Sequence, residues 1–234
     1  MNKIKLAVTG NHWLVMVVLG LMVCCLGLTG CASRLHSVNM NYDAGKANIP
    51  EYLKNENQGR SSVITIAEFI DSRKSDDPMV IGRVVEKDGV KTMVLPKYTR
   101  PTQAVASGMK KYLSKAGYKV SGDAGQWDLK EATIPKVNSK VVIGGSIEEM
   151  ELTCRKGFPT DSYKALLKLT MVLADAATGK IIYRSSVESN TSLEHVSFSE
   201  TRLEEQINIA LADAIEKVFE DKKLAGKIKE ALSE

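Results

Sequence analysis

The sequence has few of the residue types on which catalysis and metal binding depend. It contains only three histidines and four cysteines in 234 residues. No His-x-x-x-His, Cys-x-x-Cys or calcium-loop pattern occurs. A nucleophile elbow and a Gly-Lys-Ser/Thr phosphate loop are missing as well. We therefore predict that the protein is not an enzyme and that it has no catalytic residue, metal site or cofactor.

An excess of charge of one sign is also missing. The chain has 32 basic and 28 acidic residues. Lys3 and Lys5 lie in a segment that we expect to be removed, and no acidic residue precedes residue 31, so the remainder carries 30 − 28 = +2. So small a bias gives no electrostatic reason to expect a nucleic acid as partner.

Residues 1–30 have the pattern of a cleaved lipoprotein signal peptide. After Lys3 and Lys5, the uncharged run Trp13–Leu28 has 16 residues, fewer than the roughly 20 that a membrane-spanning helix needs. Leu28, Thr29 and Gly30 then precede Cys31, an order typical of a lipobox. We predict cleavage before Cys31, whose thiol receives diacylglycerol and whose new amino group receives an acyl chain such as palmitate. An uncleaved membrane anchor is the alternative.

Lipid on Cys31 predicts where the protein lies. Stable anchoring needs more than one acyl chain, which a triacylated cysteine provides. Ala32 follows Cys31, and the absence of Asp there resembles outer-membrane sorting in double-membraned bacteria. We therefore predict a protein anchored in the outer membrane and facing the periplasm. Cleavage and acylation leave Cys154 without a partner for a disulfide, and we expect it to be a small buried hydrophobic residue.

The rest of the chain divides into a tether and one domain. Residues 31–60 show little apolar periodicity and predict a lipidated cysteine followed by a flexible tether. Residues 61–234 predict a single globular domain. We place the boundary near residue 61, because regular apolar patterns begin there.

The domain alternates strand and helix patterns. Residues 62–70 predict a strand, Asp88-Gly89 a hairpin, and the run from Pro101 to Gly117 a helix. Residues 141–152 predict a central strand in which Gly144-Gly145 marks a bulge or a close backbone approach. A hairpin turning at Asp175–Lys180, a helix opened by a Thr201-x-x-Glu204 capping box, and a further helix or continuation follow. This order predicts an α+β fold, a two-layer sandwich of a mainly antiparallel sheet with two helices on one face.

Few polar residues stand out as a site. Asp71 and Arg73 follow the first predicted strand, and they indicate either a turn in which Asp71 accepts backbone hydrogen bonds or a partner-binding loop. Glu149 and Glu151 share a strand face and favour a solvated strand end over a weak cation site. His195 lacks the oriented partners that a catalytic triad requires.

Several of these pieces, in their order, resemble the YajG-type family of outer-membrane lipoproteins. The resemblance covers about residues 61–220 and the lipobox. The pieces are Leu28–Cys31, Val63–Ile66 leading to Asp71-Ser72-Arg73, Ile81-Gly82, Leu113–Val120, the Asp175–Gly179 turn and Ala210-Leu211. The charged extension after Val218 and the long tether depart from the pattern. The resemblance implies an α+β fold and no established enzymatic activity.

The sequence thus favours a non-enzymatic interaction or assembly module. It would be held on the membrane by its lipid and would bind an envelope protein of unknown identity. Two alternatives stay open: an accessory subunit of an envelope transport, secretion or appendage machine, and a carrier of an apolar ligand in a groove between sheet and helices.

Overall fold

The computed structural model describes residues 35–55, 63–122 and 124–233. The predicted signal peptide and lipobox therefore lie outside the described residues. The described chain forms a nine-stranded mixed sheet with α-helices, which confirms the α+β fold class. The strands are β1 His36–Val38, β2 Val63–Ile66, β3 Ile70–Asp71, β4 Gly82–Val85, β5 Lys91–Pro96, β6 Lys119–Ser121, β7 Val141–Arg155, β8 Asp161–Asp175 and β9 Lys180–His195. The helices are α1 Pro101–Lys115, α2 Glu200–Glu220 and α3 Lys222–Ser233.

The 15-residue strand β7 is the central strand of the sheet. Along one edge it pairs in succession with β2, β3 and β4, all parallel to it. Along the other edge it pairs antiparallel with β8 over its whole length, and β8 pairs antiparallel with β9. The long pairings are therefore antiparallel, as predicted, whereas β1, β2, β3, β4 and β6 enter the sheet through short parallel pairings.

Both predicted hairpins form at glycines with positive φ. Gly89 turns the chain between β4 and β5, and Gly179 turns it between β8 and β9. A positive φ is inexpensive only for glycine. The carboxylate of Asp175 accepts the N–H groups of Ala177 and Thr178 and so fixes the second turn.

The main core lies between the sheet and the helices. Tyr112 of α1 stacks on Phe219 of α2 with ring centroids 5.0 Å apart. An apolar stripe of α2, from Leu203 to Val218, is buried. The helix begins two residues earlier than predicted, because the hydroxyl of Ser199, and not that of Thr201, accepts the N–H of Arg202 and caps it.

A smaller core covers part of the opposite sheet face. Its centre is Trp127, which lies in the connection between β6 and β7 and is 1% exposed. The indole packs on the backbone of Gly144, whereas Phe69 of the main core packs on Gly145. The paired glycines of β7 are therefore sites of close approach and not of a bulge, since the register shift of β7 falls between Ile147 and Glu149.

The prediction of a flexible tether over residues 31–60 is wrong for residues 35–55. Residues 36–38 form β1, which pairs with β5, and Val38, Met40, Tyr42 and Leu53 are buried in the main core. The domain boundary predicted near residue 61 therefore moves to Leu35. The alternation of Val38, Met40 and Tyr42 with two asparagines is a strand-like pattern that explains this packing.

Candidate functional site

The predicted site residues fall into two groups. Leu28, Thr29, Gly30 and Cys31 lie outside the described residues, so their geometry does not enter the site. Asp71 and Arg73 are described, and they lie together at the end of β3.

Arg73 forms a dense set of contacts with its own loop. Its guanidinium donates to both carboxylate oxygens of Asp71 at 2.8 and 2.7 Å. It also donates to the carbonyls of Pro78 and Val80 at 2.6 and 3.1 Å. The side chain is only 4% exposed. These hydrogen bonds hold the pKa of Asp71 below its ordinary value of 3.8. The pair therefore closes the loop between β3 and β4, as the turn interpretation predicted.

A cleft opens beside this loop. It has a volume of about 830 Å³ and lies between β3, the Pro78-Met79 segment, the start of α1 and the Trp127 connection. Phe69 and Trp127 lie at its wall, but each is only 1% exposed. Met79 is 46% exposed at its rim. A cleft of this volume is large enough for a small ligand or an inserted side chain.

The polar rim of the cleft carries both signs of charge. Arg100 is exposed and precedes Pro101, the first residue of α1, and α1 has no side-chain cap. Its free N–H groups make this end of the helix electropositive. Glu68, Asp71 and Asp128 supply carboxylates on other sides of the cleft. Thr133 and Lys130 lower the pKa of Asp128 through hydrogen bonds.

A second, polar depression of about 770 Å³ lies on the sheet face. Its charges pair with one another: Lys168 lies 3.7 Å from Glu149, and Arg83 lies 3.8 Å from Glu151. Glu148 lies at the bulge between Ile147 and Glu149. Its carboxylate accepts a hydrogen bond from the hydroxyl of Ser146 at 2.5 Å. No group of three or more potential metal ligands occurs within the described parts of the chain. The glutamates thus behave as a solvated, ion-paired strand surface.

The histidines and the remaining cysteine also have structural partners. Nδ1 of His36 lies 2.8 Å from Glu200, and Nδ1 of His195 lies 3.2 Å from the carbonyl of Ser197. Cys154 is buried on β7, and burial raises the pKa of its thiol to about 11. A protonated thiol is a poor nucleophile. None of the three is arranged as a base beside an activated nucleophile.

Sequence reasoning found the loop but missed the cleft next to it. Phe69, Met79 and Arg100 come together only through the fold, and no local pattern joins them. The one available indication was Gly144-Gly145, because paired glycines in a strand predict that something bulky packs closely against the backbone. The structure shows that Phe69 and Trp127 do so.

Comparisons with known proteins identify the fold. No family model matches the chain, and no curated protein matches it. Solved structures that it resembles include XCC0632 of Xanthomonas campestris, a DUF330 protein, with a TM-score of 0.50 and 8% identity over 84% of this chain and 99% of the other. Two more are lipoprotein GNA1162 of Neisseria meningitidis (TM-score 0.36, 10% identity, 68% and 99% covered) and CT253 of Chlamydia trachomatis (0.44, 10%, 71% and 97%). At 8% identity the likeness to XCC0632 shows a shared fold alone.

Proposed function

We propose that the chain is a lipoprotein, cleaved before Cys31 and held by lipid at the periplasmic face of the outer membrane, where it acts as a non-enzymatic interaction module. The observation that carries the proposal is the sequence Leu28–Cys31, followed after three residues by a folded domain that begins at Leu35. None of the described helices has the length and apolar character of a membrane span. The YajG-type resemblance supports the same assignment.

We assign partner binding to the cleft beside the Asp71–Arg73 loop. Arg73 holds the carbonyls of Pro78 and Val80, and it thereby fixes the segment that presents Met79. A rigid rim around an apolar floor lowers the ordering cost of binding. The partner is an envelope polypeptide that packs an apolar side chain against the exposed Met79 at the rim of the cleft. A protein that binds a partner in this way could serve as an accessory subunit of an envelope machine.

The lipid anchor is tested by metabolic labelling with palmitate and by mass spectrometry of the amino-terminal peptide. We expect an acylated Cys31 at the new amino terminus in the outer-membrane fraction, and we expect globomycin to block maturation. Cys31→Ala should lose the label, whereas the matched variant Cys154→Ala should keep it. An intact residue 1–30 segment with a free Cys31 thiol would contradict the anchor.

The partner surface is tested by photocrosslinking in intact cells. A photoreactive amino acid replaces Met79 in one strain and Ile209 in another; the two side chains are 46% and 45% exposed. We expect one discrete crosslinked envelope protein from position 79 and none from position 209, because Ile209 lies on α2, away from the cleft. Equal crosslinking from both positions, or none from position 79, would remove the cleft as the partner surface.

The cleft also supports a second candidate function, the carriage of an apolar ligand. Its volume of about 830 Å³ falls in the range of small-molecule sites. Native mass spectrometry of the full-length protein should then show a bound apolar molecule that is released on unfolding. Met79→Glu should abolish it, and Ile209→Glu should not. A protein that carries no such mass would leave partner binding as the function of the cleft.

A further inference from the structure

Four exposed apolar side chains lie at one end of the sheet. Leu35 is 55% exposed, Val90 57%, Phe158 92% and Val196 75%. Each belongs to a different segment: the residue before β1, the turn between β4 and β5, the turn between β7 and β8, and the residue after β9. We call these four residues the end set. Apolar side chains grouped in this way mark protein or membrane contacts.

Sheet register places the four segments at the same end. Val85 of β4 pairs with Arg155 at the carboxyl end of β7, so the turns that follow both strands are neighbours. Asp161 at the start of β8 pairs with His195 at the end of β9. His36 pairs with Val94, the fourth residue of β5, in a parallel ladder, so β1 runs in the same direction as β5 and Leu35 precedes it on the side of the turn between β4 and β5.

Side-chain contacts connect these segments directly. Lys156 lies 2.7 Å from Glu86 and 4.3 Å from the ring centroid of Phe198. The ring of Phe198 lies 5.0 Å from that of His36. The hydroxyl of Thr160 donates to Glu194 at 3.2 Å. The turns that carry the end set are therefore held in one surface and do not move independently.

The proposed lipid is attached close to this surface along the chain. Four residue steps separate Cys31 from Leu35. Even a fully extended chain spans at most about 14 Å over four residues. A domain anchored through Cys31 must therefore hold Leu35 within that reach of the attachment point. The surface next to Leu35 is then within reach of the bilayer.

We propose that the end set lies against the phospholipid surface and inserts its side chains among the headgroups, so that the lipid on Cys31 and the end set together fix the orientation of the domain. This inference rests on the proposed acylation of Cys31. The occupant of the surface is a lipid bilayer, since the short connection to Cys31 brings the membrane to it.

The charges around the end set indicate which lipids it accepts. Lys156 is neutralised by Glu86, and Lys87 stands next to Asp88. The surface therefore lacks the excess of basic residues that would select anionic lipids. Binding therefore depends on apolar contact, and it occurs on zwitterionic lipid and persists at high salt, where interactions between exposed charges are screened.

The test uses the full-length acylated protein in phosphatidylcholine vesicles. Trp127 is the only tryptophan that remains after cleavage, so Phe158→Trp and Val196→Trp each add one reporter above a constant background. The vesicles contain a lipid brominated near the headgroup. We expect either reporter to lose about half of its emission, because apolar groups at an interface lie ~5–10 Å into the boundary between headgroups and acyl chains.

Ala177→Trp is the matched control. Ala177 lies in the turn after β8, and this 15-residue strand separates it from the end set by about 45 Å. Its emission should not change. Quenching of Phe158→Trp and Val196→Trp alone, unaltered in high salt, supports the inference. Equal quenching of all three reporters, or none, on protein whose Cys31 is shown by mass spectrometry to be acylated would overturn it and leave the anchor intact. An unacylated Cys31 would overturn the anchor and this inference together.

Discussion

At the scale of single residues, Arg73 organises the surface around the cleft. Its guanidinium is almost fully buried, yet every contact that it makes is to an oxygen of its own loop. Removing one partner from a buried charge costs more than the pair contributes, because the remaining charge has lost its water and its counterion. Asp71 is the only carboxylate among these partners. A substitution of Asp71 should therefore destabilise the loop between β3 and β4 by removing the ion pair with Arg73.

Asp71→Asn should lower the free energy of unfolding by about 2 kcal/mol near neutral pH, since hydrogen bonds to a charged group are lost. The folded-state pKa of Asp71 lies below 3.8, so the carboxylate contributes its stability above pH 3.8 and loses it as the pH falls through the folded-state value. Urea unfolding at several pH values should show a difference between wild type and variant that shrinks in acid. Asp76→Asn, an exposed change in the same loop, is the control. A pH-independent difference would contradict the role of the charge.

Cys154 gives a second prediction at this scale. Burial raises the pKa of its thiol to about 11, so the folded protein should react very slowly with Ellman's reagent at pH 8, where the thiolate is scarce. Unfolding in guanidinium should release one reactive thiol per mature chain if Cys31 is acylated. Two reactive thiols would mean that Cys31 is free. Rapid reaction of the folded protein would mean that Cys154 is not buried.

At the scale of secondary-structure elements, two glycines of β7 allow close packing on the strand. Because Gly144 and Gly145 have no side chains, Trp127 and Phe69 can pack directly on the backbone. The walls of the cleft therefore depend on the absence of two Cβ atoms. Replacing either glycine should therefore change the shape of the cleft, although neither glycine lines it.

Gly144→Ala should displace Trp127, because the new Cβ would lie 2.5 Å from Cε3 of the indole. We expect a red-shifted tryptophan emission in the mature protein and a loss of about 1–3 kcal/mol of stability from overpacking. Gly226→Ala is the control: this helix position has no atom within 4 Å of the added Cβ, and alanine favours a helix by roughly 0.5–1 kcal/mol. Unchanged emission from Gly144→Ala would contradict the packing of Trp127.

The elements differ in how far the sequence predicted them. The turns at Gly89 and Gly179 and the buried stripe of α2 follow from local rules, namely glycine φ angles and a 3.6-residue period. The pairing of β2, β3 and β4 with a single edge of β7 does not, because short parallel pairings join segments far apart in the chain. The cleft was missed for the same reason. The alternation of Val38, Met40 and Tyr42 was a local pattern, but it is too short to outweigh the polar residues around it.

At the scale of the whole molecule, the segment 35–55 completes the main core. Leu53 is fully buried, and Tyr42 packs against Tyr112 with ring centroids 6.4 Å apart. Lys115 donates to the carbonyls of Gly45 and Ala47 at 3.0 and 2.8 Å. The domain is therefore closed by the part of the chain nearest to the proposed lipid.

Leu53→Ala should accordingly destabilise the domain by ~2–5 kcal/mol, the usual cost of removing a buried leucine side chain. Glu51→Ala, an exposed change two residues away, should change stability by less than about 0.5 kcal/mol. Chemical unfolding of the full-length protein measures both. If the two variants were equally stable, the segment would be a tether after all.

The contacts of segment 35–55 also determine the order in which the molecule can fold. His36 binds Glu200, the backbone N–H of Asn39 donates to Glu204, and Tyr42 donates to Glu216, across 164 to 174 residues of chain. A polypeptide that emerges from its amino terminus presents these residues first and their partners on α2 almost last. Contacts this distant in sequence close late. The domain can therefore close over segment 35–55 only after α2 has arrived, and the proposed processing of Cys31 in an emerging chain would take place next to a segment that has not yet docked.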